Sequence, residues 1–192
     1  MRLKWITVLP AVGALLLFPS ITPAQSLASD SIGVVMLTHP VDAKKLSSGA
    51  TIPMKLTHPV TFSNGTKLPA GTMLDATVVQ DDMQLDGKFK LALRFTDAKT
   101  KDGKTIPVKA TILAVAAEAI PGPNGPDMGE TTLAVPDNLN NQPDVVDSEG
   151  IAPGVDLHSK ASDQNSGVLV TKKDNIKLPY GTKMELALAL GN

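Results

Sequence analysis

The chain has 192 residues, no cysteine, six aromatic side chains (four Phe, one Trp, one Tyr) and a formal net charge of −1. Without a thiol there is no disulfide, no thiolate nucleophile and no Cys-ligated zinc or iron–sulfur site. The near-neutral balance and the scarcity of rings count against the clustered basic face and the stacking platforms on which nucleic-acid binders and many sugar binders rely.

In chain order, Arg2 and Lys4 precede an apolar run from Trp5 to Phe18, and Thr22-Pro23-Ala24 follows with small residues. This order predicts a cleavable secretory signal over 1–24, with Ala28 as a second cleavage point. The run is shorter than the ~20 apolar residues of a bilayer-spanning helix, so no stable membrane span is expected after cleavage. The expected mature chain, 25–192, carries 16 basic against 19 acidic residues and is long enough for one domain. A periplasmic or extracellular location follows from that expectation.

Gly33 to Thr38 and Ala50 to Thr57 read as short strands, and Met73 to Gln80 as a Thr- and Val-rich one. Lys88 to Thr96 alternates strictly, with Phe89, Leu91, Leu93 and Phe95 on one side. Thr105 to Val115 does the same with Ile106, Val108, Ala110, Ile112 and Ala114. Val168 to Thr171 is short, and Lys183 to Leu190 places Met184, Leu186, Leu188 and Leu190 inward. Asn64-Gly65, Asp86-Gly87 and Asp102-Gly103 are dipeptides suited to positive φ at hairpin tips. No helical period is found. The expected fold is all-β, a small antiparallel barrel or sandwich-like domain.

Between 119 and 166 prolines recur among Gly, Asn and Asp and the alternation stops; Glu118 to Ser166 holds nine acidic residues against Lys160 alone. This span reads as a long irregular acidic insert, flexible in composition.

Three phrases repeat. Leu37-Thr38-His39-Pro40-Val41 recurs at 56–60, Thr51-Ile52-Pro53-Met54-Lys55 as Thr105-Ile106-Pro107-Val108-Lys109, and Lys67-Leu68-Pro69-Ala70-Gly71-Thr72 as Lys177-Leu178-Pro179-Tyr180-Gly181-Thr182. Proline presets φ in a tight turn and the glycine two residues on supplies positive φ. Each Leu-Pro-x-Gly-Thr therefore hands the chain into a strand, and the two strands that follow should be structurally equivalent.

The string from Asn64 to Leu74, followed by an alternating strand and Lys101-Asp102-Gly103-Lys104-Thr105-Ile106-Pro107-Val108, resembles the conjugal-transfer barrel domain of type IV secretion channel subunits. It also resembles small exported bacterial β proteins that close on a Lys-Leu-Pro-x-Gly-Thr strand. The resemblance covers 50–115 and 167–190 and implies an isolated barrel module. The channel subunits carry a membrane helix and a proline-rich spacer before the barrel, and a helical pore insertion within it. Neither has a counterpart here.

Chemistry-bearing motifs are few. His39 and His58 sit on repeated turns but no third ligand is indicated, and His158 falls in the insert, so no metal or other cofactor is expected. Asp81, Asp82 and Asp86 read as a solvated hairpin tip, and Asp97 and Asp102 likewise. No nucleophile elbow, Ser-x-x-Lys motif or phosphate loop is present, so no catalytic residue is assigned. Asp75 follows the first Leu-Pro-x-Gly-Thr turn and Glu185 the second, at equivalent positions, as a speculative ligand or partner site. The function expected is a non-catalytic barrel-like module acting through an envelope protein partner or a surface. The alternative is a small-ligand binder or hydrolase at the barrel mouth near Asp75, Glu185 and the insert.

Overall fold

The computed structural model describes residues 30–80, 86–116, 145–152, 154–161 and 163–191. Thirteen strands run through them: β1 (Ser31–Leu37), β2 (Val41–Asp42), β3 (Thr51–Leu56), β4 (Val60–Thr61), β5 (Lys67–Leu68), β6 (Met73–Val79), β7 (Phe89–Lys99), β8 (Thr105–Ala116), β9 (Val145–Ala152), β10 (Val155–Lys160), β11 (Gly167–Thr171), β12 (Lys177–Leu178) and β13 (Lys183–Leu190). A 3-10 turn at Ala43–Lys45 lies between β2 and β3. Six strands, β1, β3, β6, β7, β8 and β13, pair antiparallel in that order, and β13 returns to β1, closing a barrel. Among the described residues no helix is long and apolar enough to cross a membrane.

Alternation fills the interior. Leu74, Ala76 and Val78 of β6, Leu91, Leu93 and Phe95 of β7, and Met184, Leu186 and Leu188 of β13 are buried in one core with Ile52, Met54, Leu56 and Ile112. Each Leu, Ile, Val, Met or Phe among them contributes about 1.5–3 kcal/mol relative to an exposed one. With no cysteine to crosslink the chain, packing carries the stability.

The repeats create an approximate two-fold relation between the halves of the barrel. Val35 lies opposite Met184 and Gly33 opposite Leu186, as Met54 lies opposite Leu74 and Ile52 opposite Ala76. The axis passes between Met36 and Lys55, which face each other, with Val35 opposite Leu56 and Leu37 opposite Met54. Each Leu-Thr-His-Pro-Val phrase pairs with a Leu-Pro-x-Gly-Thr phrase. In one arm Leu37 N–H donates to Thr182 O at 2.9 Å and Gly181 N–H to Leu37 O at 3.2 Å; in the other, Leu56 N–H donates to Thr72 O at 2.8 Å and Gly71 N–H to Leu56 O at 2.7 Å. Gly71 and Gly181 have φ of 83° and 84°, where a Cβ is disfavoured. Thr72 and Thr182 hydroxyls donate to Pro69 O at 2.7 Å and Pro179 O at 2.9 Å. The arms continue as the ladders β2–β12 and β4–β5, with Val41 opposite Leu178 and Val60 opposite Leu68, all four buried. Because β1 and β3 run antiparallel, the arms cap opposite ends of the barrel.

The halves differ where β7 meets β8. Near the Asp102-Gly103 tip they pair, with Ala98 opposite Ile106. Further from the tip β11 takes the place beside β7, with Leu93 opposite Gly167 and Phe89 opposite Thr171, and β10 and β9 extend the sheet outward. Ser166 forms the fork: its N–H donates to Leu93 O and its carbonyl accepts from Ile112 N–H, both at 2.8 Å. Its hydroxyl oxygen accepts from Phe95 N–H at 3.0 Å. All five residues of β11 are buried, as a strand covered on both faces must be.

Several expectations are corrected. A bulge between Glu185 and Leu186 sets Ala114 opposite Glu185 on the outer side and turns Val115 inward, so the inward series on β8 ends at Ile112 and resumes at Val115. Asp86-Gly87 is not a positive-φ turn; glycine suits position 87 because a Cβ there would run into the Val170 side chain. Thr51–Lys55 and Thr105–Lys109 are not related by the two-fold, although both turn their Ile inward. β9 and β10 lie within the span read as an irregular insert, and His158 sits inside β10, opposite Val168. Val155, Leu157 and Ser159 alternate inward there, a short pattern hidden by the polar Ser. Residues 119–144 of that span, and Asp81 and Asp82, lie outside the described residues.

Replacing Ser166 by Ala leaves the Phe95 N–H without its acceptor at a buried position. An expected loss of about 1–3 kcal/mol would be read from chemical denaturation of the variant against the parent.

Candidate functional site

Asp75 and Glu185 stand at equivalent positions, as the repeats imply, Asp75 opposite Pro53 and Glu185 opposite Val34. Their strands are three places apart in a ring of six, so the two carboxylates face outward from opposite walls and share no site. Asp75 Oδ2 lies 3.3 Å from Lys99 Nζ, a partly exposed ion pair of a kind worth about 0.2–1 kcal/mol. Glu185 is fully buried, neither carboxylate oxygen has a hydrogen-bond partner, and desolvation raises its pKa above the ordinary value.

His39 and His58 occupy matching turns. Thr38 Oγ1 lies 3.1 Å from His39 Nδ1 and Thr57 Oγ1 lies 3.0 Å from His58 Nδ1. Both threonine hydroxyls also donate to the facing strand, at Pro53 O (3.0 Å) and Val34 O (2.9 Å). The imidazoles are thus held by the turn itself. Among the described residues no three His, Asp or Glu side chains converge on a metal-sized space.

The barrel mouths are plugged. Phe62, Val60 and Leu68 fill one end and Val41, Leu178 and Ile176 the other, all buried. The space outside the second plug is an open groove of about 580 Å³ between β2, β12 and β3. Val41, Leu46, Ile52 and Pro53 line its apolar part, and His39, Asp42, Lys45 and Lys177 its polar part. Asn175 organises the acidic side: its Nδ2 donates to Asp42 Oδ1 at 2.7 Å and its Oδ1 accepts from Lys44 N–H at 3.0 Å. That hydrogen bond is the largest effect; it outweighs desolvation, which acts the other way, and with the weaker pull of the Lys45 and Lys177 charges it holds the Asp42 carboxyl below its ordinary pKa. Lys45 Nζ sits 3.7 Å from Asp42 Oδ2. Asp42 faces Lys177 across the β2–β12 ladder and lies beside Lys45, so this lining holds one carboxylate against two lysines.

None of Asn175, Lys45 and Lys177 stands out in the sequence. The legible signal was indirect: the Lys-Leu-Pro repeat at 177–179 and the Val41-Asp42 at the end of the other repeat meet here because the two phrases pair. No protein-family model matches the chain, and neither a curated protein nor a solved structure does.

Replacing Asn175 by Ala removes the main stabiliser of ionised Asp42. The Asp42 carboxyl pKa, followed by NMR titration, should rise toward its ordinary value of 3.8. A depressed carboxyl lends stability above its unfolded pKa and loses it as pH falls through the folded value, so the variant should also lose less stability than the parent on acidification.

Proposed function

We propose that this chain is an exported, non-catalytic barrel module that acts by contact with a protein partner in the bacterial envelope. The observation that carries the reading is the packed interior with both ends plugged. A ligand binder or hydrolase at the barrel mouth needs a cavity lined by convergent polar groups, whereas Leu91, Phe95, Ile112 and Leu186 fill that space and Asp75 and Glu185 stand apart.

The contact surface is the groove beside β2 and β12. Its apolar floor and open form suit an extended segment of a partner, and charge complementarity makes that segment acidic, since the lining sets Lys45 and Lys177 against the single carboxylate of Asp42.

A photo-crosslinking residue at exposed Thr51, on the groove wall, tests this in intact cells. The expected result is one dominant protein adduct that disappears when Lys45→Glu and Lys177→Glu are combined. Absence of an adduct, or an adduct pattern indifferent to the charge reversal, would contradict the reading.

A further inference from the structure

The two halves of the barrel serve as an internal comparison. The two-fold relation sets Asp75 on Glu185, Thr77 on Ala187, Arg94 on Thr111 and Lys99 on Ala116, because Met73 faces Lys99 and Thr77 faces Arg94 as Lys183 faces Ala116 and Ala187 faces Thr111. Both ladders carry a bulge at the same place, between Leu74 and Ala76 in one and between Glu185 and Leu186 in the other. The backbone is thus repeated while the outer side chains are not.

In the first half the outer face is polar, and Lys99 lies against Asp75. In the second half alanine stands where that lysine is. Thr111 and Ala187 are 4 % and 2 % exposed and Glu185 is 0 % exposed, although all three point away from the core. A carboxylate in such a place has lost its water without gaining a cation or a donor, an arrangement that disfavours ionisation.

The groups around Glu185 offer little relief. On β13, Lys183 is two residues away on the same face and forms no ion pair with it. Among the described residues, β1 presents Val34 opposite, flanked by Ile32 and Met36, and β8 presents Ala114, Thr111 and Ala116, none of them titratable. The bulge beside Glu185 interrupts the β8–β13 ladder and leaves it locally irregular.

We propose that Glu185 is a proton-operated latch on the β8–β13 seam. As the neutral acid it lies under the closed outer face; as the carboxylate it reaches water by opening the ladder at the bulge. The direction of the desolvation effect agrees with this. The sign follows from linkage. The folded protein keeps its proton above the ordinary value of 4.5 at which the unfolded chain releases it. Stability from this group is therefore full at low pH and declines as pH rises from 4.5 through the raised folded value.

Two measurements test it. A carboxyl 13C titration of the unaltered protein should place the Glu185 midpoint above 4.5. Amide exchange across 110–115 and 184–188, corrected for its intrinsic pH dependence, should accelerate above that midpoint. Between the unfolded and folded pKa values, the unfolding constant of the parent should rise about tenfold per pH unit relative to Glu185→Gln. Ala116→Lys, which rebuilds the arrangement found at Asp75, should lower the midpoint and flatten the profile. A midpoint at or below 4.5 overturns the proposal, and so do parallel profiles for parent and Glu185→Gln. Should Glu185→Gln fail to fold, the titration of the parent decides alone.

Discussion

The barrel depends on a single backbone lock used twice. A Leu in a Leu-Thr-His-Pro-Val phrase exchanges two hydrogen bonds with the Gly and Thr of a Leu-Pro-x-Gly-Thr phrase, once through Leu37 and once through Leu56. Proline makes the chain turn, glycine allows the positive φ, and the threonine hydroxyl satisfies the proline carbonyl. Because one lock joins 37 to 181–182 and the other 56 to 71–72, the first draws the end of the chain back to its beginning. Closure of β1 on β13 follows from it, and closure leaves the barrel strands without a free edge there.

Around that shared frame the halves diverge in what they carry. One arm plugs its end with Phe62; the other has Ala43 at the matching place and a buried Ile176 where the first has Thr66, and the groove lies outside it. One outer face has charged residues in ion-pairing range, and the other has alanine and threonine around a buried acid. The β9–β11 addition is also one-sided, opening the β7–β8 ladder at Ser166 and covering β11 on both faces. A repeated backbone can tolerate such divergence because the lock residues, not the outer side chains, determine register.

Much of the fold was legible because its strands alternate cleanly. Phe89 to Phe95 and Met184 to Leu188 announce their inward faces, and the equivalence of Asp75 and Glu185 could be read from the turns before them. What remained hidden lies in features without a local signature. A bulge shifts one residue and so reverses Val115 and Ala114, which no period-two pattern can anticipate. β10 is short and turns Ser159 inward, so it reads as loop. The groove depends on residues 42 and 175–177 meeting across most of the chain, and the separation of Asp75 from Glu185 depends on strand order around the ring. Both are properties of topology.

The central claim is that two equivalent locks hold the barrel closed. Native-state hydrogen exchange of the Leu37, Gly181, Leu56 and Gly71 amides tests it most directly. The account predicts that all four exchange only with global unfolding, as two matched pairs. If the Leu37–Gly181 pair exchanged by local opening while the Leu56–Gly71 pair stayed protected, the barrel would be a sheet pinned at one arm and the account would fail.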